Sequence, residues 1–375
     1  MAAAPETVTP RARIWREGSA CLYRYLRPGP GPAVAPIPSP SPAPALSPHP
    51  LPLPLPPPRP PVVLVYSLIN RPPVLDLLPS RSVVRSLQAA GLDVYLLDWG
   101  EPGRFEARLD LGGHLARLAR AVRAARRTAG AGSVSLLGYC LGGTLAVALA
   151  ALEPALVSRL ALLATPIAFD PAATGTLGAW ARAGGIEPER LALTPAGNVP
   201  GQTLRELLRF QDPLGQVRKL ATILERAGDE AFLDAFLAQE RWANGCVDFP
   251  GRLFSEWIRL FYREDRLARG TLVAGGRPVD LARLTQPILN VVSEGDRIVP
   301  PESSTPLAAL VGPAGRVETL RVGGGHIGMT VGKRAPETTH RALARFLVGP
   351  DAVSVAEGEG VGVDVGVGVK EGAPS

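Results

Sequence analysis

Lysine is nearly missing from this chain. Lys219, Lys333 and Lys370 are three of its 40 basic residues, and the other 37 are arginines. Those arginines are interleaved with acids, as in Arg259, Arg263, Glu264, Asp265, Arg266 and Arg269, so the formal charge of +6 is not gathered into one block. A mixed-sign, solvated surface is expected, and a nucleic-acid partner is not. Cysteine is equally scarce. Cys21, Cys140 and Cys246 are odd in number, widely spaced and without a CxxC pair, which excludes a disulfide framework and a zinc site. No apolar run of about 18 residues survives, because Glu153, Pro154 and Arg159 break the best candidate, so no transmembrane span is expected. The opening MAAAPETVTPRAR lacks the apolar stretch of a secretory signal, and the chain reads as cytoplasmic.

Proline and glycine are abundant instead, 40 and 41 of 375 residues. The proline excess is local: Pro28–Pro61 holds 17 of the 40. Each proline removes a backbone donor, so this segment (28–61) is expected to be an extended polyproline-II linker following an N-terminal segment (1–27). Its deletion, with a short Gly/Ser join, is expected to leave the melting temperature and the chemical step almost unchanged. Loss of folding on deletion would show that it packs on the core. Beyond 349 a Gly/Val-rich tail (349–375) is expected to be disordered. Apolar residues at 46% exclude disorder for the rest.

From Val62 a rhythm begins. Val62–Leu68, Val94–Leu97, Ser133–Leu137 and Leu160–Ala164 read as short buried strands. Helical patterns at Arg81–Ala90, Leu111–Arg127 and Leu141–Leu152 separate them. Such alternation means βαβ units and a mostly parallel sheet. It stops at Ile167 and resumes with strands at Ile288–Ser293 and Val317–Val322 and a last helix near Glu337–Val348. A core of 62–166 and 286–348 is therefore expected, interrupted by a mainly helical cap over 167–285. That insertion is too long for an ordinary loop.

The third strand runs into Gly138-Tyr139-Cys140-Leu141-Gly142, and a helix follows. This is the nucleophile-elbow pattern with cysteine in the serine position, where a helix N-terminus favours a thiolate. The pattern expects an acid and then a histidine later in the chain. Asp296 follows the strand Ile288–Ser293, with Glu294 as a nearby rival. His326 sits in the glycine loop after the next strand, while His49, His114 and His340 lie in the proline segment and on helices. Gly323-x-Gly325-x-x-Gly328 spells a dinucleotide fingerprint, but late in the sheet and without a helix starting inside it, so no cofactor is expected. Cys21 and Cys246 lack an elbow and read as packing residues. A thiolate exchanges one thioester for another almost without energetic cost, so thioesters suit this nucleophile better than esters.

Several stretches together resemble one family: VVLVYSLINRPPVLDL (62–77), GLDVYLLDWGEP (91–102), LGYCLGGT (137–144), TPIAFD (165–170), LNVVSEGDRIVPP (289–301) and GGHIGMTV (324–331). They are similar to polyhydroxyalkanoate (PHA) synthases, above all the PhaC catalytic subunit of the class III type. QERWAN (239–244) and GTLVAGGRPVDLARL (270–284) extend the likeness into the cap. The resemblance implies the α/β-hydrolase fold, with Cys140 as acyl-carrying nucleophile and His326 as general base. It implies that Asp296 assists the incoming monomer's hydroxyl, and that the amides of Ile69 and Leu141 form the oxyanion hole. It implies an acyltransferase that polymerises (R)-3-hydroxyacyl-CoA and releases CoA. A PhaE-type second subunit, a homodimer and the polymer-granule surface are the partners it implies. The proline segment and the Gly/Val tail depart from that family. A cysteine thioesterase or esterase of the same fold is the competing reading, and a granule-bound protein with a vestigial site is the third.

Overall fold

Runs of β-branched and leucine side chains, buried on both faces, build the centre of one sheet. The computed structural model describes residues 8–27, 60–184, 193–209 and 222–349. The expected linker up to residue 59, the tail beyond 349 and parts of the 167–285 segment lie outside the described residues. Ten strands are described: β1 (Arg11–Glu17), β2 (Ala20–Tyr25), β3 (Pro61–Val65), β4 (Asp93–Asp98), β5 (Val134–Tyr139), β6 (Val157–Leu163), β7 (Val273–Ala274), β8 (Arg277–Pro278), β9 (Pro287–Ser293) and β10 (Arg316–Val322). Eight of them form one sheet in the order β1-β2-β4-β3-β5-β6-β9-β10. Pairings from β4 through to β10 are parallel, and β1–β2 and β2–β4 are antiparallel. β3 and β5 are buried at every residue, as expected of strands covered by helices on both faces.

The connecting helices are set by their caps. α1 (Val83–Ala89) starts where the Ser82 hydroxyl accepts from the Arg85 amide. α2 (Leu111–Ala129) starts on Asp110, which accepts from the Gly113 amide at 2.7 Å, and ends on left-handed Gly130. A cap of this kind contributes about 1 kcal/mol. α3 (Leu141–Leu152) is buried along its whole length.

Three elements differ from the sequence reading. No strands were expected in 1–27, yet β1 and β2 extend the sheet beyond β4. They are arginine-rich and half-exposed, as edge strands are, so their apolar signal is weak. Buried polar contacts hold them. The Thr9 amide and hydroxyl donate to the Asp76 carboxylate at 2.8 and 2.9 Å, and buried Arg117 reaches Glu106 at 3.3 Å and Glu17 at 3.4 Å. The first core strand ends at Val65, not Leu68, which frees Tyr66–Ile69 as a loop. Within 167–285 the small hairpin β7–β8 was also unexpected. Each strand is two residues long, joined by Gly275 and Gly276 at positive φ, so periodicity had nothing to act on.

Between β6 and β9 no described residue joins the main sheet. α4 (Pro171–Arg182), α5 (Gly201–Arg209) and the helices Glu230–Ala243 and Gly251–Trp257 occupy this interval. No helix among the described residues is long and apolar enough to cross a membrane.

Candidate active site

The elbow lies between β5 and α3, where Cys140 has φ 53° and ψ −129°. An L-residue held at positive φ costs of order 1–3 kcal/mol, and it persists because the surroundings leave no alternative. They are close here. A Cβ on Gly142 would lie 2.2 Å from the Val65 carbonyl oxygen, and one on Gly138 would lie 2.4 Å from the Cα of Gly143. Both neighbours are backbone and cannot rotate away. Gly142→Ala is therefore expected to destabilise the protein by about 1–3 kcal/mol. It should also depress activity more than its folded fraction explains, because the Val65–Tyr66 backbone carries the adjoining loop. Thermal unfolding beside turnover per folded molecule checks this, and an unchanged melting temperature would refute the packing argument.

The structure brings Asp296 and His326 together on this elbow. The His326 Nδ1–H donates to Asp296 Oδ2 at 2.7 Å. Asp296 Oδ1 accepts from the amides of Ile298 and Val299, both at 2.9 Å, and its side chain has no exposed surface. Cys140 lies beside His326, and both border one cavity. Tyr139 packs its ring 5.1 Å from the imidazole, and its hydroxyl donates to the His326 carbonyl at 2.9 Å. The rival Glu294 points away, pairing on the surface with Arg321 at 2.7 Å. His114 and His340 are buried in backbone hydrogen bonds elsewhere, to the carbonyls of Asp110 and Thr330. His49 lies outside the described residues. The Gly323–Gly328 motif is the loop carrying His326. A helix does start at its last glycine, contrary to the sequence reading, but it is four residues long (Gly328–Val331).

Burial opposes charge on His326, but the Asp296 carboxylate and then the Cys140 sulfur outweigh it and raise the imidazole to about 10. The folded value lies above the ordinary 6.5. The stability it contributes is therefore complete below that ordinary value and is lost as pH rises through about 10. The melting-temperature gap between the parent and His326→Gln should be widest near pH ~6 and close towards pH ~10. A gap that does not change with pH would overturn the charged pair.

Ile69 and Leu141, the expected oxyanion residues, both border a cavity with Cys140. In the present arrangement the Ile69 amide donates to the Ser67 hydroxyl at 3.3 Å, a long bond that an oxyanion would outcompete. Two cavities meet at Cys140. The smaller, about 80 Å³, is walled by Phe169, Leu204, Phe254, Trp257 and Tyr262. The larger, about 220 Å³, has a mostly apolar lining into which Asn70, Arg205, Arg209, Glu240, Asn244 and His326 bring polar groups. Cys246, read from sequence as packing, also borders the larger cavity. Burial pushes its thiol up to about 11, so it stays protonated at neutral pH. The segment around it is stitched to the Ile69 loop. The Val247 amide donates to the Ile69 carbonyl at 2.9 Å, and Trp242 Nε1 donates to the Arg71 carbonyl at 2.7 Å. A more capacious hollow lies between β10 and the helix Arg341–Val348, but its described lining, including Arg159, Arg341 and Arg345, has no cysteine or histidine.

A cysteine at the sharp turn from strand to helix, with an acid and a histidine on the loops after later strands, defines a class. Residues 60–332 match the α/β hydrolase fold family, and the chain belongs to it. A membrane phospholipase A, described as a bacterial virulence factor, has the same fold (TM-score 0.51, 16% identity, covering 93% of this chain and 87% of that one).

The particular family follows from the curated relatives. The poly(3-hydroxyalkanoate) polymerase subunit PhaC of Allochromatium vinosum is 31% identical over 91% of this chain and 88% of its own length. That of Haloferax mediterranei is 39% identical over 73% of this chain, and there the match spans 56% of the relative, just over half its length. The chain belongs to the poly(3-hydroxyalkanoate) polymerase PhaC family.

Proposed function

We propose that this chain is the catalytic subunit of a PHA synthase, polymerising (R)-3-hydroxyacyl-CoA thioesters with release of CoA. The observation that carries the reading is the bonded pair His326–Asp296 beside Cys140, where two cavities meet, in a chain of the PhaC family. Cys140 Sγ attacks the thioester carbonyl after its proton has passed to His326, and the oxyanion is met by the amides of Leu141 and Ile69. The C–S bond to CoA breaks, and the departing thiolate takes the proton from His326. Neutral His326 then accepts the proton of a 3-hydroxyl, whose oxygen attacks the acyl-Cys140 carbonyl. The ester bond forms and Cys140 is released as the anion, ready for the next transfer.

In this reading Asp296 acts through His326 rather than on the hydroxyl itself, which is supported by its buried carboxylate being filled by the imidazole and two amides. Residues 167–285 serve as the cap that keeps water from the acyl-cysteine, which favours transfer to an alcohol over hydrolysis. A PhaE-type subunit, a second copy of the chain and the granule surface are its partners within this reading, and the enzyme works in the cytoplasm on the granule. The test is incubation of purified protein with 3-hydroxybutyryl-CoA, separating polymer from free acid. Polymer with stoichiometric CoA is expected. Free acid alone would establish the thioesterase reading, and no CoA release would overturn both.

A further inference from the structure

His326 stands on a loop that does little to fix its own backbone. Gly323, Gly324 and Gly325 precede it, Gly328 follows, and Gly324 sits at φ 103°. Glycine has the widest backbone freedom of any residue, so the place of the imidazole has to be set by contacts from elsewhere. Two of these come from the ends of strands. The Ser293 hydroxyl, at the end of β9, donates to the Gly324 carbonyl at 2.7 Å. The Tyr139 hydroxyl, at the end of β5, donates to the carbonyl of His326 itself at 2.9 Å.

Tyr139 is also the peptide neighbour of Cys140. It is buried, and its ring is stacked on Tyr66 at 5.4 Å and 15°. Tyr66 is held in turn, its carbonyl accepting from Trp99 Nε1 at 3.0 Å. The free face of the phenol ring is turned to the imidazole, 5.1 Å away. One rigid side chain thus runs from the strand end that carries Cys140 to both the backbone and the ring of the histidine. The elbow pattern leaves the residue between Gly138 and Cys140 open, so the motif itself does not account for a tyrosine there. A phenylalanine would fill the same space without reaching the carbonyl. We infer that Tyr139 is a positioning residue that fixes the His326 imidazole against the Cys140 sulfur. Asp296 sets which way the ring is turned, and Tyr139 sets how far it stands from the cysteine. The inference rests on the cysteine–histidine pairing of the reading above.

The experiment is a double-mutant cycle on the full chain: parent, Tyr139→Phe, His326→Gln and the double variant. Each is alkylated with iodoacetamide near pH ~7, and mass spectrometry follows Cys140 and Cys246 separately, so no substrate is assumed. Tyr139→Phe keeps the ring and its stacking, and it should slow Cys140 alkylation by about fivefold, the scale of one neutral hydrogen bond. In the His326→Gln background, itself slowed by about tenfold or more, the same change should matter by less than about twofold. With 3-hydroxybutyryl-CoA the loss in Tyr139→Phe should fall on kcat, with KM held within about twofold. An undiminished rate in Tyr139→Phe, or an equal loss in both backgrounds, overturns the role of Tyr139 and leaves the synthase reading standing. Faster alkylation of Cys246 in Tyr139→Phe would make the hydroxyl a support of the fold at large and overturn it too. An undiminished rate in His326→Gln would overturn the cysteine–histidine pairing, and the inference with it.

Discussion

Cys140→Ser is expected to fold like the parent and to release CoA about a thousandfold more slowly or worse, a barrier increase of ~4 kcal/mol. The two halves of this expectation have different causes. The strain at φ 53° belongs to the backbone and is imposed by Val65, Tyr66 and Gly143, so a serine side chain neither adds to it nor relieves it. The melting temperature should move by little. The chemistry is another matter. An imidazole raised to about 10 can share charge with a thiolate, but a serine alkoxide is a far stronger base and keeps its proton. The resulting oxygen ester would also be a poorer acyl donor to the next hydroxyl. Single-turnover CoA release, with mass spectrometry of the acylated protein, reads both. Near-parental turnover, or acyl label on Cys246 in the parent, would refute Cys140 as nucleophile. Cys246 enters this test because it borders the same cavity, and its thiol, pushed up to about 11, is the reason it should stay unlabelled.

Much of this site was readable from sequence because its parts carry local signals. Gly138 and Gly142 flank Cys140 since any Cβ there meets backbone, and a strand before and a helix after complete the pattern. Asp296 and His326 each follow a buried apolar strand, so counting strands finds their loops. The hairpin β1–β2 was not readable. Its alternation is blurred by arginines, and it is anchored through Asp76 and Arg117, contacts that join residues 67 and 100 positions apart. Asn70 and Arg205 were invisible for a related reason. One sits on a loop and the other on a surface helix, and no spacing reveals that both border a cavity with Cys140. Residues that act alone at a turn leave a motif, whereas residues that meet only through tertiary packing leave none.

That distinction bears on Asp296, for which the family resemblance and the geometry give different expectations. If Asp296 assisted the incoming hydroxyl directly, Asp296→Asn would still acylate Cys140, release one equivalent of CoA and then stall. The hydrogen bonds favour another outcome. Oδ1 accepts two backbone amides, so an asparagine oxygen belongs there, and its NH₂ is turned towards His326 Nδ1. Nδ1 must then accept, which moves the ring proton to the nitrogen facing Cys140 and leaves it unable to take the thiol proton. The opposite rotamer sets the NH₂ against two amide donors, at a cost of about 1–3 kcal/mol for each unpaired donor. Asp296→Asn is therefore expected to lose the first-turnover CoA burst by about a hundredfold or more, with polymer per CoA released unchanged. His326→Gln should lose at least as much, because no side-chain base remains to accept the proton. Burst amplitude and polymer yield, measured on the same samples, decide the matter. A full burst without polymer in Asp296→Asn would refute a role through His326 and restore direct assistance to the hydroxyl. A shared loss in both variants makes Asp296 the group that fixes which imidazole nitrogen meets the sulfur.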